Sequence, residues 1–454
     1  MIPVSAKKLA QVTGGRLISA GREAITGVRT DSRDVRPGEL FIPIVGERAD
    51  GHDYIDQAIA KGASAVITAR DIPPAEGITV VRVADTRLAM KALASYVRGE
   101  MDIPVVAIIG SVGKTTTKDM VAGILGQRFD VLKTEGNYNN DIGVPLTLFR
   151  LEEHHQCAVI EMGMNHFGEI RYLAEMVRPD FVVMTNIGDA HIENLGSREG
   201  ILKAKSEVFE FVKESGCAVL NGDDPLLRTL RNTLKCGIIL CGESLDCDVL
   251  VDDVNTGDGF TVKCGILIGG ERIEADIPAP GRHMVYCAAQ GAYIAKCLGM
   301  TSEEIEKGIS AYKPTGMRMN IKHLSGGVIL LDDAYNANPQ SMEASLRTLE
   351  TLAAEKKIAV LGDMLELGEI AESAHSHIGD ICRCSGIDMV LTCGELGRFI
   401  AAHAGEKGRW YEDREALEAD LLSSITPGTA IEVKASRGMH FEDFTRKIEE
   451  KFKL

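Results

Sequence analysis

The stretch Val105 to Thr117, VVAIIGSVGKTTT, decides the fold. Val105 to Ile109 is an unbroken apolar run rich in β-branched residues, the pattern of a strand buried on both faces. Gly110 and Gly113 interrupt it, and from about Lys114 the chain reads as a helix. Strand, glycine-rich turn and helix in that order open a nucleotide-binding α/β domain. Glycine at 110 and 113 lets the backbone N–H groups of the loop, from Ser111 to Thr116, converge on phosphate oxygens at the positive end of the helix. Lys114 is then placed to neutralise terminal phosphates and the Thr115 hydroxyl to meet Mg²⁺. The loop is shorter than the usual eight-residue form, which would need glycine where this chain has Ile108.

Working outward, Cys157 to Glu161, Phe181 to Thr185 and Ala218 to Leu220 are further buried-strand candidates. Helical stretches separate them, as a mainly parallel sheet requires. Glu161 closes its strand beside the phosphate loop, a position suited to the nucleotide's Mg²⁺. This central P-loop domain is expected over 101–312. Its last helix should start at Thr301, where Thr301 and Glu304 have capping-box spacing. Residues 1–100 alternate β-rich runs (Ile25 to Thr30, Leu40 to Val45, Ala65 to Thr68, Thr79 to Val83) with helical stretches such as Tyr54 to Lys61, which reads as a small α/β domain. Val328 to Asp332, Ile358 to Leu361, Met389 to Thr392 and Ala430 to Val433 mark a C-terminal, Rossmann-like α/β domain over 313–454. Lys313 to Gly316 is the expected hinge. The predicted fold class is therefore α/β, in three domains.

A chain of 454 residues is too long for one hydrophobic core. Its formal net charge of -16 repels a phosphate backbone or an anionic membrane, so local cations and backbone N–H groups must hold any anionic ligand. The N-terminus MIPVSAKKLA has no apolar stretch of signal-peptide length, and Ile103 to Ile109 is too short to span a bilayer. The expectation is a cytoplasmic enzyme with neither nucleic-acid nor membrane partners, acting as a monomer. Eleven cysteines lie scattered without a CxxC, the closest pair being Cys382 and Cys384, so reduced thiols are expected rather than zinc or disulfides.

Longer motifs carry a resemblance. GNYNNDIGVP (136–145), EMGMNH (161–166), NIGDAH (186–191), DDAYNANP (332–339) and GDMLELGE (362–369) resemble those of the Mur ligases, and the likeness runs along essentially the whole chain. The first, fourth and fifth are closer to the D-alanyl-D-alanine-adding branch than to diaminopimelate-adding or folate-extending relatives, and no DNPR-type segment is present. TDSR (30–33) and GERADGHD (46–53) look like the family's uridine-nucleotide-binding segments.

The resemblance implies an ATP-dependent amide ligase of peptidoglycan precursor synthesis. Its substrates would be UDP-N-acetylmuramoyl-tripeptide and D-alanyl-D-alanine, joined through an acyl phosphate. It implies two Mg²⁺ ions, one on Thr115 and Glu161 and a second on His191 with Lys205, the lysine carbamylated in this family. Ser32 and Arg33 would meet the UDP diphosphate. Asn137, Asn139 and Asn140 would line the tripeptide and γ-phosphate region. Arg318, Asp333, Tyr335, Asn336 and Asn338 would face the ATP, with Lys434, Ser436 and Arg437 adding polar and positive groups from the same side. Two departures are visible: His283 and Cys287 lie in a segment where relatives often carry Asn, and Ala435 stands where Gly is common. Two other readings stay open: another Mur-type amide ligase, diaminopimelate-adding or folylpolyglutamate synthase-like, and a P-loop ATPase switch.

Overall fold

The apolar runs become strands of three sheets, with five, nine and six strands, in a computed structural model that describes residues 1–21, 24–257 and 259–453. In the nine-stranded sheet the spatial order is Glu271–Ile277, Val262–Ile268, Val249–Asn255, Gly237–Gly242, Cys217–Asn221, Phe181–Met184, Val105–Ile109, Cys157–Glu161 and Val131–Lys133. All neighbours from Val131–Lys133 to Val249–Asn255 run parallel. Parallel strands end at one edge, so the loops after Ile109, Glu161 and Met184 gather there, outside the carboxyl ends of the strands.

The last two strands of this sheet are antiparallel and were not expected. Glu271–Ile277 alternates between exposed and buried side chains, and Lys263 and Gly265 interrupt the largely buried Val262–Ile268, so a search for continuous apolar runs passes over both. The helix Ser302–Ser310 starts as predicted, with a reciprocal capping box between Thr301 and Glu304.

The five-stranded sheet has the order Arg16–Ser19, Thr79–Arg82, Ala65–Thr68, Glu39–Phe41, Gly27–Arg29. Arg16–Ser19 was not anticipated. The strand expected from Leu40 to Val45 ends at Phe41, two residues before Pro43, which has no N–H for a ladder. The six-stranded sheet runs Asn320–His323, Ile329–Asp332, Thr429–Lys434, Lys356–Leu361, Met389–Cys393, Gly408–Tyr411, parallel except at its first edge. Its other edge carries the one tryptophan of the sequence, Trp410, whose indole N–H donates to Gly394 O at 2.8 Å.

The cores are distributed unevenly. One apolar cluster is continuous between the first sheet and one face of the central sheet, joining Leu93, Ala94 and Val97 of the helix Thr86–Gly99 to Leu173 and Val177 of Glu169–Val177. The third sheet has two cores of its own, one on each face. From the central region, Ile192 and Phe260 are the partly buried apolar residues packed against them, among the described residues. The first and central units therefore share a continuous buried apolar core, whereas the third meets the central unit through a few apolar side chains such as Ile192 and Phe260 and through polar contacts.

Candidate active site

The strand Val105–Ile109 delivers the chain into Gly110 and Gly113, both at positive φ (146° and 81°), and the helix Lys114–Leu125 begins directly after Gly113. The loop is tied to the neighbouring strand end: Ser111 N–H donates to Asn186 O (3.1 Å), Val112 N–H to Asn186 Oδ1 (3.0 Å), and Thr185 Oγ1 to Val112 O (2.6 Å).

Three basic groups crowd this loop. Lys114 Nζ donates to Gly110 O (2.9 Å) and Ser111 O (3.3 Å), and Lys205 Nζ donates to the same Gly110 O at 3.0 Å. Burial holds the Lys205 ammonium well below the usual lysine range, with Lys114 adding repulsion. Burial also lowers Lys114, opposed by Glu161. His191 is lowered by burial first and by Lys114 next, with Glu366 pulling the other way. Its Nδ1 lies 2.7 Å from Glu366 Oε2 but makes no hydrogen bond of acceptable angle, so we read the contact as electrostatic. Buried basic groups that repel one another, with Glu161 and Glu366 as the acidic neighbours of Lys114 and His191 and none resolved for Lys205, make a site that an incoming anion would stabilise.

The acidic counterpart is Glu161, 1% exposed at the end of its strand. Oε2 accepts from Thr115 Oγ1 (2.8 Å) and Oε1 from Asn139 Nδ2 (2.8 Å). A hydroxyl and a carboxylate in contact form a hard-oxygen donor pair of the kind Mg²⁺ takes. Among the described residues no group of three or more His, Cys, Asp or Glu is placed to hold a metal.

These residues border a cavity of about 610 Å³ walled by both the central and third sheets. The central unit contributes Ser111, Gly113, Lys114, Thr116, Glu161 and His191, together with Asn137, Asn139 and Asn140. From the third come Arg318, Asp333, Tyr335, Asn336, Asn338 and Lys434. Gly110 and Thr115 stand behind the wall, bonded to Lys114 and Glu161 of it, and Lys205 is bonded in turn to Gly110. The Arg318 guanidinium lies 3.9 Å from the Tyr335 ring centroid, fixing the ring from one side. Lys434, 2% exposed, is paired with Asp333, and its Nζ also donates to Asn336 O at 3.1 Å. Asn338 uses its side chain to cap the helix Pro339–Thr351.

Four expected residues stand elsewhere. Ser32 Oγ donates to Gln57 Oε1 at 2.7 Å and is buried, and Arg33 forms an exposed pair with Asp31 at 2.6 Å. Ser436 Oγ accepts from Leu365 N–H (2.8 Å) and donates to Ala337 O (3.3 Å), which fastens two loops behind the cavity. Arg437 pairs with Glu442 at 3.1 Å. Sequence reasoning missed Gln340, Gln290 and Tyr286 in the wall, since an amide or phenol in a helix carries no motif of its own, and it gave no role to Asn186 although that residue opens the NIGDAH motif. His283, named only as a departure, also lines the cavity, and burial lowers it while Asp333 raises it.

Comparison with known proteins covers all three units. The families described as Mur ligase family, catalytic domain; Mur ligase middle domain; and Mur ligase, glutamate ligase domain match residues 24–98, 108–295 and 317–437. The UDP-N-acetylmuramoyl-tripeptide–D-alanyl-D-alanine ligase of Bacillus subtilis (strain 168) is 39% identical, covering 99% of both chains. Among solved structures, MurF from Acinetobacter baumannii superposes with a TM-score of 0.92 at 31% identity over 99% of both chains. The MurF ligase from Thermotoga maritima, in complex with ADP, gives 0.84 at 28% identity over 94% of this chain and 97% of its own.

Proposed function

The chain belongs to the Mur ligase family, and on that premise we infer that it is the ATP-dependent ligase joining D-alanyl-D-alanine to UDP-N-acetylmuramoyl-tripeptide in peptidoglycan precursor synthesis. The observation that carries the reading is the cavity itself, in which a phosphate loop and its buried cations face a wall supplied by a separate sheet.

A carboxylate is a poor electrophile with no usable leaving group, so its oxygen must first attack the γ-phosphorus of ATP, releasing ADP and leaving an acyl phosphate. The amine of D-alanyl-D-alanine then adds to the acyl carbon, the C–O bond to phosphate breaks, and the nitrogen gives up a proton. Lys114 and the N–H groups of Ser111 to Thr116 hold phosphate oxygens, offsetting the repulsion between two anions. Asn137, Asn139 and Asn140 orient the approaching peptide without adding charge. Arg318 and Tyr335, with Asp333, Asn336, Asn338 and the Lys434 side, receive the nucleoside. Closure of the third unit aligns the partners and keeps water from the acyl phosphate.

Thr115 and Glu161 would hold one Mg²⁺, which neutralises phosphate charge when bound. His191 and a carbamylated Lys205 would serve a second; a buried amine held neutral is the form that adds CO₂, so Lys205 fits that modification. We assign UDP-substrate binding to residues 1–100, with Ser32 and Arg33 released from their present partners to meet the diphosphate. The ATP-binding unit is 101–312 and the ligase unit 313–454, with Ser436 and Arg437 supporting its loops. We further propose that the enzyme acts as a monomer. No helix among the described residues is long and apolar enough to cross a membrane, and we place the reaction in the cytoplasm, where its ATP is found.

The test is phosphate release from ATP and Mg²⁺ with UDP-N-acetylmuramoyl-tripeptide, with and without D-alanyl-D-alanine, and with glutamate and diaminopimelate as alternative acceptors. Release that needs both tripeptide and D-alanyl-D-alanine, with a pentapeptide product of the expected mass, is the expected result. Release with another acceptor, or with none, overturns it.

A further inference from the structure

Asp189 is a junction between the central and third units. It is 8% exposed and lies two residues before His191. Its carboxylate accepts from Arg198 Nε (2.6 Å) and Nη2 (2.8 Å), at the start of the helix Arg198–Ser206 that carries Lys205. From the third unit, the Gln340 amide meets it twice: Asp189 N–H donates to Gln340 Oε1 at 3.1 Å, and Gln340 Nε2 donates to Asp189 Oδ2. A primary amide facing a backbone N–H and a carboxylate at once satisfies one donor and one acceptor in a fixed orientation. Gly188 is what lets it approach, since a Cβ there would fall 2.7 Å from Gln340 Oε1.

We propose that Gln340 is a positioning residue for the ligase reaction: its two-point contact with Asp189 sets the 186–191 loop and the Lys205 helix when the third unit docks. The third unit has its own cores, so polar contacts of this kind decide whether docking is registered at the phosphate loop. Gln340 lies two residues beyond Asn338, in the first turn of the helix Pro339–Thr351, so nucleotide held by the third unit and the catalytic loop of the central unit are linked through one side chain. The kinetic consequence rests on the ligase reading above, whereas the contact itself does not.

The test is a swap. Gln340→Glu keeps the acceptor for Asp189 N–H but sets carboxylate against carboxylate. Asp189→Asn in the same chain restores a donor to the carboxylate introduced at position 340, still offers one oxygen to Arg198, and returns the total charge to its original value. The readouts are kcat and KM for ATP in the full reaction, and hydrogen exchange of peptides containing residue 189 with Mg²⁺ and AMP-PNP present.

Gln340→Glu is expected to lower kcat by about tenfold, leave KM for ATP within about threefold, and speed exchange at residue 189. The double variant is expected to recover most of the turnover lost in Gln340→Glu. Unchanged kcat and exchange in Gln340→Glu, or a double variant no better than the sum of its singles, overturns the proposal. Faster exchange in Gln340→Glu than in wild type, with a wild-type protein that shows no tripeptide-dependent turnover, would count against the ligase reading while leaving the contact established.

Discussion

At position 110 the backbone has φ 146°, and a Cβ would fall 1.9 Å from Thr185 Oγ1. Gly110→Ala must therefore push the loop away from the strand end that braces it. The expected cost is about 1–3 kcal/mol in stability, read by thermal unfolding, together with loss of nucleotide binding. Lys114→Ala should separate the two effects. Its Nζ bonds only to carbonyls of its own loop, so the melting temperature should hold while phosphate release falls by at least about a hundredfold. Near-normal turnover would remove Lys114 from the phosphate site. Lys205→Ala should lose turnover and regain part of it with formate or acetate, the anion standing in for the carbamate; full activity without added acid would show that no modification is needed. At this scale the sequence was most legible where chemistry restricts the residue type. Lys114, Thr115 and Glu161 meet because a phosphate loop needs a cation, a hydroxyl and a carboxylate at strand ends. Gln340 was illegible because its role depends on a partner 151 residues away, which no local spacing encodes.

Among the elements, the strand Thr429–Lys434 carries an unusual burden. Glu432 is fully buried with neither carboxylate oxygen hydrogen-bonded, and burial raises it to about 8 despite the lowering influence of Ser345 and Lys434. The folded state thus holds a proton that the unfolded chain releases near its ordinary carboxylate range. Between about pH 4.5 and pH 8 the native state binds more protons, so stability declines as pH rises through that window and levels off above it. Glu432→Gln should flatten this slope in melting temperatures measured from pH 5 to 9; an unchanged slope would place the proton elsewhere. The helix Ser302–Ser310 offers a simpler check: Thr301→Ala removes a reciprocal cap and should cost about 1 kcal/mol in denaturant unfolding. Val105–Ile109, announced by an unbroken apolar run, and the Thr301 start, announced by a cap, were legible, whereas Gly237–Gly242 and Val249–Asn255 were not read despite their apolar runs. The antiparallel pair Val262–Ile268 and Glu271–Ile277 was also not read, because its information lies in pairing with each other and, for Glu271–Ile277, in alternation.

Across the whole molecule, the continuous core beneath the first and central sheets contrasts with the separate cores of the third. Units that share buried apolar area unfold together, while a unit joined by polar contacts can unfold on its own. Scanning calorimetry of the free protein should therefore show two transitions. ADP with Mg²⁺, bound between the central and third units, should bring them together and raise the lower one. A single transition without nucleotide would mean the polar interface is stronger than its contacts suggest. Trp410 makes the same partition visible optically. It is the sequence's one tryptophan and lies on the outer strand of the third sheet, away from the shared core. Indole emission excited at the red edge of the protein band consequently reports from one unit alone: a fluorescence melt and a far-ultraviolet dichroism melt of the same sample need not coincide, and the interval between them measures how independently that unit lives.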